Sequence, residues 1–230
     1  MSHQCIQHIL CCSGADTAIV ECGCPVPVLD LSSEPYTWAM TQEKMSSEKI
    51  VNGVNVDNLF KTVVAVKGNP AIAKFNFRAQ NKWINGGNNR TTVNEFYGAC
   101  QTHTRSKPFE YVKDEPPVLL GTDQGANPVE YALTALAGCL TTSLIYHAAA
   151  QGIKIDEVES TLEGDLDLQG FLGLSENIRN GYHNINVTFR IKADVSEEKL
   201  EELVQLAQKR SPVFDIISNP TPVHVSLERH

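Results

Sequence analysis

Residues 127–152 read NPVEYALTALAGCLTTSLIYHAAAQG, with no charged side chain between Glu130 and Lys154. A proline suits the first helical position, a glycine suits the residue just past a helix end, and Ala, Leu and Thr fill the interior on every face, so the stretch predicts a helix made for burial. About 24 residues at roughly 1.5 Å each would cross a whole domain. Small side chains at Ala135, Gly138, Thr142 and Ala149 allow a second backbone to approach closely, and a second helix is expected against this one. Cys139 stands in the middle of the run. A thiol there is either packing or chemistry.

Working outward, the flanks change period. On the N-terminal side, Asp57 is expected to cap a helix carrying Leu59, Phe60, Val63 and Val64 on one face and ending near Gly68, with a short helical turn over 71–74. Phe75, Phe77, Ala79 and Trp83 alternate with polar residues, the period of a half-buried strand. The tight sequence over 85–89, NGGNN, reads as a turn into a second strand or irregular segment over 90–96. Residues 98–126 are rich in Pro, Gly, Asp and Thr and read as a connection holding one short strand near 110–113. On the C-terminal side, Val158, Ser160, Leu162 and Leu166 form one alternating run, and Ile185, Val187, Phe189 and Ile191 form another. A second helix is expected to open at Ser196, with Glu197 and Glu198 in its first turn and Lys209 and Arg210 in its last, as the dipole favours. A short helical turn at 211–213 and a last strand through Val223, Val225 and Leu227 complete an α+β arrangement centred on the Cys139 helix.

Composition narrows the function. The chain has 230 residues, 42% hydrophobic and 20% charged, with a formal net charge of -8 and a pI near 5.4. No basic patch is present to neutralise phosphates, which argues against nucleic acid as a partner. The central run is near membrane-spanning length but is rich in Thr, Ser and Ala, contains His147 and lies between strand patterns, so no membrane partner is expected. Of seven cysteines, Cys5, Cys11, Cys12, Cys22 and Cys24 fall in the first 24 residues. Seven cannot all pair, and the N-terminus lacks a secretory pattern, so a reducing cytoplasm is inferred. His3 and His8 lie near the cluster, but adjacent and one-apart cysteines are not the spacing of a structural zinc site. Residues 1–44 therefore read as a peripheral extension, Met45 as a plausible alternative start, and 45–230 as the main domain. No metal and no cofactor is implied.

The words NPVEYALTALAGC, a helix ending in AAAQGI, then EVESTLEGDLDL, and finally a helix closing on SPV resemble the OsmC/Ohr family of osmotically inducible and organic hydroperoxide resistance proteins, over about residues 50–229. The resemblance implies an OsmC-like α+β fold in which two central helices are wrapped by antiparallel sheets, with two chains intertwined as a homodimer. It also implies reduction of organic hydroperoxides by a reactive thiol that a second cysteine resolves, with dithiol donors such as lipoyl groups regenerating it. Cys139 matches the peroxidatic cysteine. Ser211 falls where the resolving cysteine stands, and a hydroxyl cannot form a disulfide. The family's helix glutamate falls at Val129, with Glu130 one residue later and on the opposite side of the helix from Cys139. Arg90, after the Gly86-Gly87 pair, is the candidate for the family's arginine, and Arg105 is the second choice. Tyr146 and His147 would line the pocket.

The residues by themselves leave two readings open. A free thiol ionises near pH 8.5, and attack on a peroxide oxygen needs more thiolate than that gives at neutral pH. The helix dipole fades within the first turn, so a cation must help Cys139, and arginine, always charged and fork-shaped, suits the task. On this reading Cys139 attacks, Arg90 activates, and an external thiol or dithiol, or Cys100, captures the sulfenic acid. Without an arginine nearby, Cys139 is a small hydrophobe. The chain would then bind a small apolar ligand without turnover.

Overall fold

The computed structural model describes residues 48–229. The peripheral extension expected over 1–44, its boundary at Met45 and its cysteine cluster lie outside the described residues.

Strands β1 (Ile50–Val51) and β2 (Val54–Asn55) form a tight hairpin whose turn residues Asn52 and Gly53 have φ of 53° and 74°. Positive φ at both central positions matches the right-handed twist of the flanking strands. The Asn52 side chain then clasps the far end of the domain: its Nδ2 donates to the Ile153 carbonyl at 2.9 Å and its Oδ1 accepts from the Ile155 N–H at 2.8 Å. Helix α1 (Val56–Gly68) follows, capped by Asn55 and not by Asp57. Asn55 has the extended backbone a cap requires and accepts from Asn58 N–H at 2.9 Å, whereas Asp57 lies inside the first turn and accepts from Lys49 N–H at 3.0 Å.

A 3₁₀ turn (Pro70–Ala73) leads into an antiparallel sheet built on β5 (Asn88–Gly98). One edge of β5 is taken in succession by β4 (Gln80–Asn85) and β3 (Asn76–Phe77), and the other by β6 (Gln101–Lys113) along its whole length. The region expected to be a connection is thus mostly strand. Three features hid it. The β5–β6 turn is Ala99-Cys100, with φ of 49° and 62°, and neither residue belongs to the Gly/Asn set that marks such a turn. A register shift between Val93 and Glu95 interrupts the alternation. Pro108 lies within β6, where an edge strand tolerates its missing N–H.

Helix α2 (Pro128–Ala150) is the expected central helix, one to two residues shorter than its sequence pattern. Its N-terminus is closed by a capping box: Asn127 Oδ1 accepts from Glu130 N–H at 2.9 Å, and Glu130 Oε2 accepts from Asn127 N–H at 2.8 Å. By length and composition α2 could cross a membrane, with a mean hydropathy of 1.3. One face of it packs in the core of this chain. Leu136, Leu140, Leu144 and Ala148 recur every fourth residue and are buried, as are Leu203 and Ala207 of α4 (Glu197–Arg210), the second central helix, which packs on α2. Between them runs a hairpin of β7 (Ile155–Asp165) and β8 (Asn184–Ala193), joined through the short helix α3 (Leu168–Phe171). Strand β7 also packs on α2, and so does the last helix α5 (Pro212–Ser218).

Two central helices with antiparallel sheets bear out the expected α+β class. The last strand is a correction. Residues 220–229 form no strand, and Val223, Val225 and Leu227 are exposed. Alternation alone does not make a strand: a ladder partner is also needed, and no described segment of this chain offers one.

Candidate active site

Successive helix residues are about 100° apart, so α2 divides into longitudinal stripes. Leu136, Leu140, Leu144 and Ala148 face the core. Ala135, Gly138, Thr142 and Tyr146 form a second stripe open to solvent. At Gly138 an added Cβ would meet nothing within 4 Å. Cys139 lies on the seam between the two stripes and is half-buried and free. Its sulfur is thereby anchored by core packing and still reachable from outside. Among the described residues it has no hydrogen-bonding or ionic partner within its own chain.

The candidate arginines are both on the sheet. Arg90, on β5, ion-pairs loosely with Glu110 at 3.8 Å, each side chain about half exposed. It sits across the ladder from Val112, whose carbonyl accepts from the Tyr131 hydroxyl at 2.9 Å. Arg90 is thus held at the end of the sheet that adjoins the first turns of α2, eight residues and about 12 Å along the axis before Cys139. Arg105 is committed elsewhere: its guanidinium lies 5.1 Å from the Phe96 ring and 5.3 Å from the Phe109 ring, and it donates to the Asn94 carbonyl at 2.8 Å.

The other candidates fall into distinct places. The Glu130 carboxylate closes the capping box, on the far side of the helix from Cys139. Tyr146 lies on the open stripe two turns after Cys139 and close to its face. His147 is in the last turn of α2, turned further toward the core side. Ser211 is only 2% exposed and caps α5, its Oγ accepting from Phe214 N–H at 3.2 Å. The serine thus has a structural task that its hydroxyl performs well. Cys100 is at the tip of the β5–β6 hairpin, just past Gly98, the end of β5, which lies roughly 27 Å along the strand from Arg90.

Sequence reading missed the loop that joins the sheet to α2. Its centre is Asp114, 1% exposed, which accepts from Thr122 Oγ1 at 2.6 Å and from the N–H groups of Glu115, Thr122 and Gln124. The Thr122 hydroxyl first, and the three backbone donors with it, overcome the opposing effect of burial and hold this carboxyl at a pKa of about 2. Glycines permit the tight path: a Cβ on Gly121 would lie 1.8 Å from the Glu115 carbonyl oxygen, and one on Gly125 2.3 Å from that of Val112. Beside it, Lys113 lies 5.7 Å from the Tyr131 ring, and burial lowers its pKa. Tyr182 braces α2 from the other hairpin, donating to the Val129 carbonyl at 2.8 Å. An Asp among Pro, Gly and Thr is common in any loop, so nothing in the sequence marked Asp114 out. No group of three His, Cys, Asp or Glu residues suited to a metal occurs among the described residues.

Residues 121–226 match the family model described as OsmC-like protein. This segment carries α2 with Cys139, both central helices, the β7–β8 hairpin and Ser211. Over these residues the chain is similar to the OsmC-like family. Solved structures similar to this OsmC-like chain include an OsmC-like protein from Mycoplasma pneumoniae (18% identity, TM-score 0.48, covering 62% of this chain and 86% of that one). Another is an OsmC-like protein of unknown function from Vibrio cholerae (11%, TM-score 0.47, 60% and 91%). A third is an organic hydroperoxide resistance protein from Legionella pneumophila (18%, TM-score 0.40, 61% and 89%). No curated protein matches the chain. The β3–β6 sheet, which holds both candidate arginines, precedes the matched OsmC-like segment.

Proposed function

We propose that this OsmC-like protein reduces organic hydroperoxides through Cys139. The observation that carries the reading is the placement of a free cysteine on the seam of the central helix, within the family segment, with its open side lined by the small residues Ala135, Gly138 and Thr142. In the first step the Cys139 sulfur attacks the terminal peroxide oxygen, the O–O bond breaks, and the alcohol leaves after taking a proton. The sulfur is left as a sulfenic acid. An external thiol or dithiol reduces it, releasing water.

The site calls for a second copy of the chain. A homodimer would cover two surfaces that one chain leaves open: the small-residue stripe of α2, and a sheet face carrying Phe75, Phe77 and Phe109, all more than half exposed. In such an assembly Arg90 of one protomer would supply the positive charge that Cys139 lacks among the described residues of its own chain, Tyr146 and His147 would line the pocket, and aromatic rings would favour an apolar peroxide. The cytoplasm, with its thiol reductants, is the matching compartment.

The lack of a cationic partner for Cys139 among the described residues and the serine at position 211 support a second reading, in which the same site holds a small apolar ligand without turnover. Consumption of cumene hydroperoxide, with dithiothreitol or a lipoylated donor, separates the two. Activity that disappears in Cys139→Ser and persists in Cys100→Ser supports the peroxidase. Absence of consumption with every donor overturns it in favour of ligand binding.

A further inference from the structure

Strands β7 and β8 pair as an antiparallel hairpin, yet eighteen residues, 166–183, join them. Hairpin loops usually need about two to five, and connections beyond about 12–15 residues are mostly functional. This one is held in a fixed shape by its own contacts. Asp167 Oδ1 accepts from Gln169 N–H at 2.9 Å at the start of α3, Gly173 turns the chain after it with a φ of 66°, and Leu174 N–H donates back to the Gln169 carbonyl at 2.9 Å. The two arms of the loop meet at buried Gly170, where a Cβ would lie 2.7 Å from the Arg179 carbonyl oxygen and 2.8 Å from that of Ile178. No side chain fits between them. At the stem, His183 N–H donates to the Asp165 carbonyl at 2.8 Å, and Tyr182, packed over Gly164, is tied to the Val129 carbonyl of α2.

Between the arms lies an open cleft of about 700 Å³, within the size range of small-molecule sites. Phe171 and Ile178 give it an apolar side, and Ser175, Glu176, Arg179 and Asn180 a polar one. Phe171 is 74% exposed, so its ring is free to be covered. The Arg179 side chain runs along the wall at Gly181, its Nε 3.8 Å from where a Cβ there would stand. Glu176 and Arg179 share the cleft, and among the described residues neither forms an ion pair. Those two charges define the ligand. A guanidinium fork matches a carboxylate, and a carboxylate accepts from an ammonium. A phosphate or a dicarboxylate would satisfy Arg179 but be repelled by Glu176, and a wholly apolar molecule would leave both charges unanswered. We infer that this cleft binds an α-amino acid with an aromatic or branched apolar side chain. Its carboxylate meets Arg179, its ammonium meets Glu176, and its side chain lies against Phe171 and Ile178. No residue of α2 lines the cleft, so the inference stands apart from the peroxidase reading.

The test titrates L-phenylalanine and L-leucine in turn into the full-length chain by isothermal titration calorimetry, with N-acetyl-L-phenylalanine amide, which lacks both charges, as the control. Saturable binding of at least one amino acid is expected, with a Kd of about 1 mM or tighter, and none of the control. Arg179→Ala is expected to weaken that binding about ten-fold or more. Glu176→Gln is expected to weaken the free amino acid but to bind N-acetyl-L-phenylalanine, which keeps only the carboxylate, more tightly than the wild type does. Both side chains are exposed and unpaired, so the melting temperatures of the variants should match the wild type. No saturable heat with either amino acid up to about 10 mM, equal affinity in the wild type and both variants, or equal affinity for the uncharged control overturns the inference.

Discussion

The hydroxyl of Tyr131 donates to the carbonyl oxygen of Val112 at 2.9 Å, bridging the helix that carries Cys139 to the strand paired with Arg90. An edge-on contact with Tyr111, ring centroids 6.1 Å apart, holds the same phenol in place. Tyr131→Phe keeps the ring and removes the bond, and is expected to cost about 1 kcal/mol of stability in urea unfolding. If the bridge also sets the position of Arg90, kcat/KM for cumene hydroperoxide falls while the far-UV spectrum is unchanged. Unaltered kinetics would show that the bridge serves stability alone.

Ser211→Cys places a thiol where a hydroxyl now caps α5. Loss of the cap is expected to lower stability by about 1 kcal/mol. Helix α5 packs on α2, so the new thiol is also expected to pair with Cys139 after one equivalent of hydroperoxide. Thiol titration before and after oxidation reads this as two thiols lost together. In Cys139→Ser/Ser211→Cys, that coupled loss disappears.

The Asp114 carboxyl is held at about 2, below the ordinary 3.8. A depressed carboxyl contributes stability that is fully present above the unfolded value and is lost as pH falls through the folded one. The loop between β6 and α2 should therefore weaken between about pH 4 and pH 2, with no contribution from this group to any change between pH 5 and 8. Asp114→Asn removes the charge that four donors converge on. It is expected to lower the melting temperature at pH 7 and to flatten the acid limb of the stability curve. An unchanged acid limb would assign the acid sensitivity to other groups.

The two faces of α2 should answer differently to substitution. Leu144→Ala opens a cavity in the core and is expected to cost about 2–5 kcal/mol. Gly138→Leu points into open space within the chain and should leave the secondary structure intact. If the small-residue stripe seats a second copy, that bulk shifts the protein from dimer to monomer in sedimentation velocity. A dimer equally strong in Gly138→Leu would place the interface on another face.

Much of the architecture was legible because local chemistry and tertiary demand coincided. The proline at the start of α2, the alternation of β7 and β8, and the charge gradient of α4 all state locally what packing then uses. Legibility failed where local signals and fold parted. The Ala99-Cys100 turn carries no turn signature, β6 contains a proline, and Val223, Val225 and Leu227 alternate without a ladder to join.

The sequence by itself determined the two central helices, the β7 and β8 strands, the position of Cys139 midway along an apolar helix, and the serine at position 211. These are properties of single residues and their spacing. Only the tertiary structure decided that Cys139 lies on the seam between a buried and an open stripe, that Arg105 lies against two rings, and that Asp114 organises the approach to the helix. Each depends on which partner a side chain meets across many residues of chain. That choice is made by packing and hydrogen-bond satisfaction in three dimensions, which residue spacing does not encode.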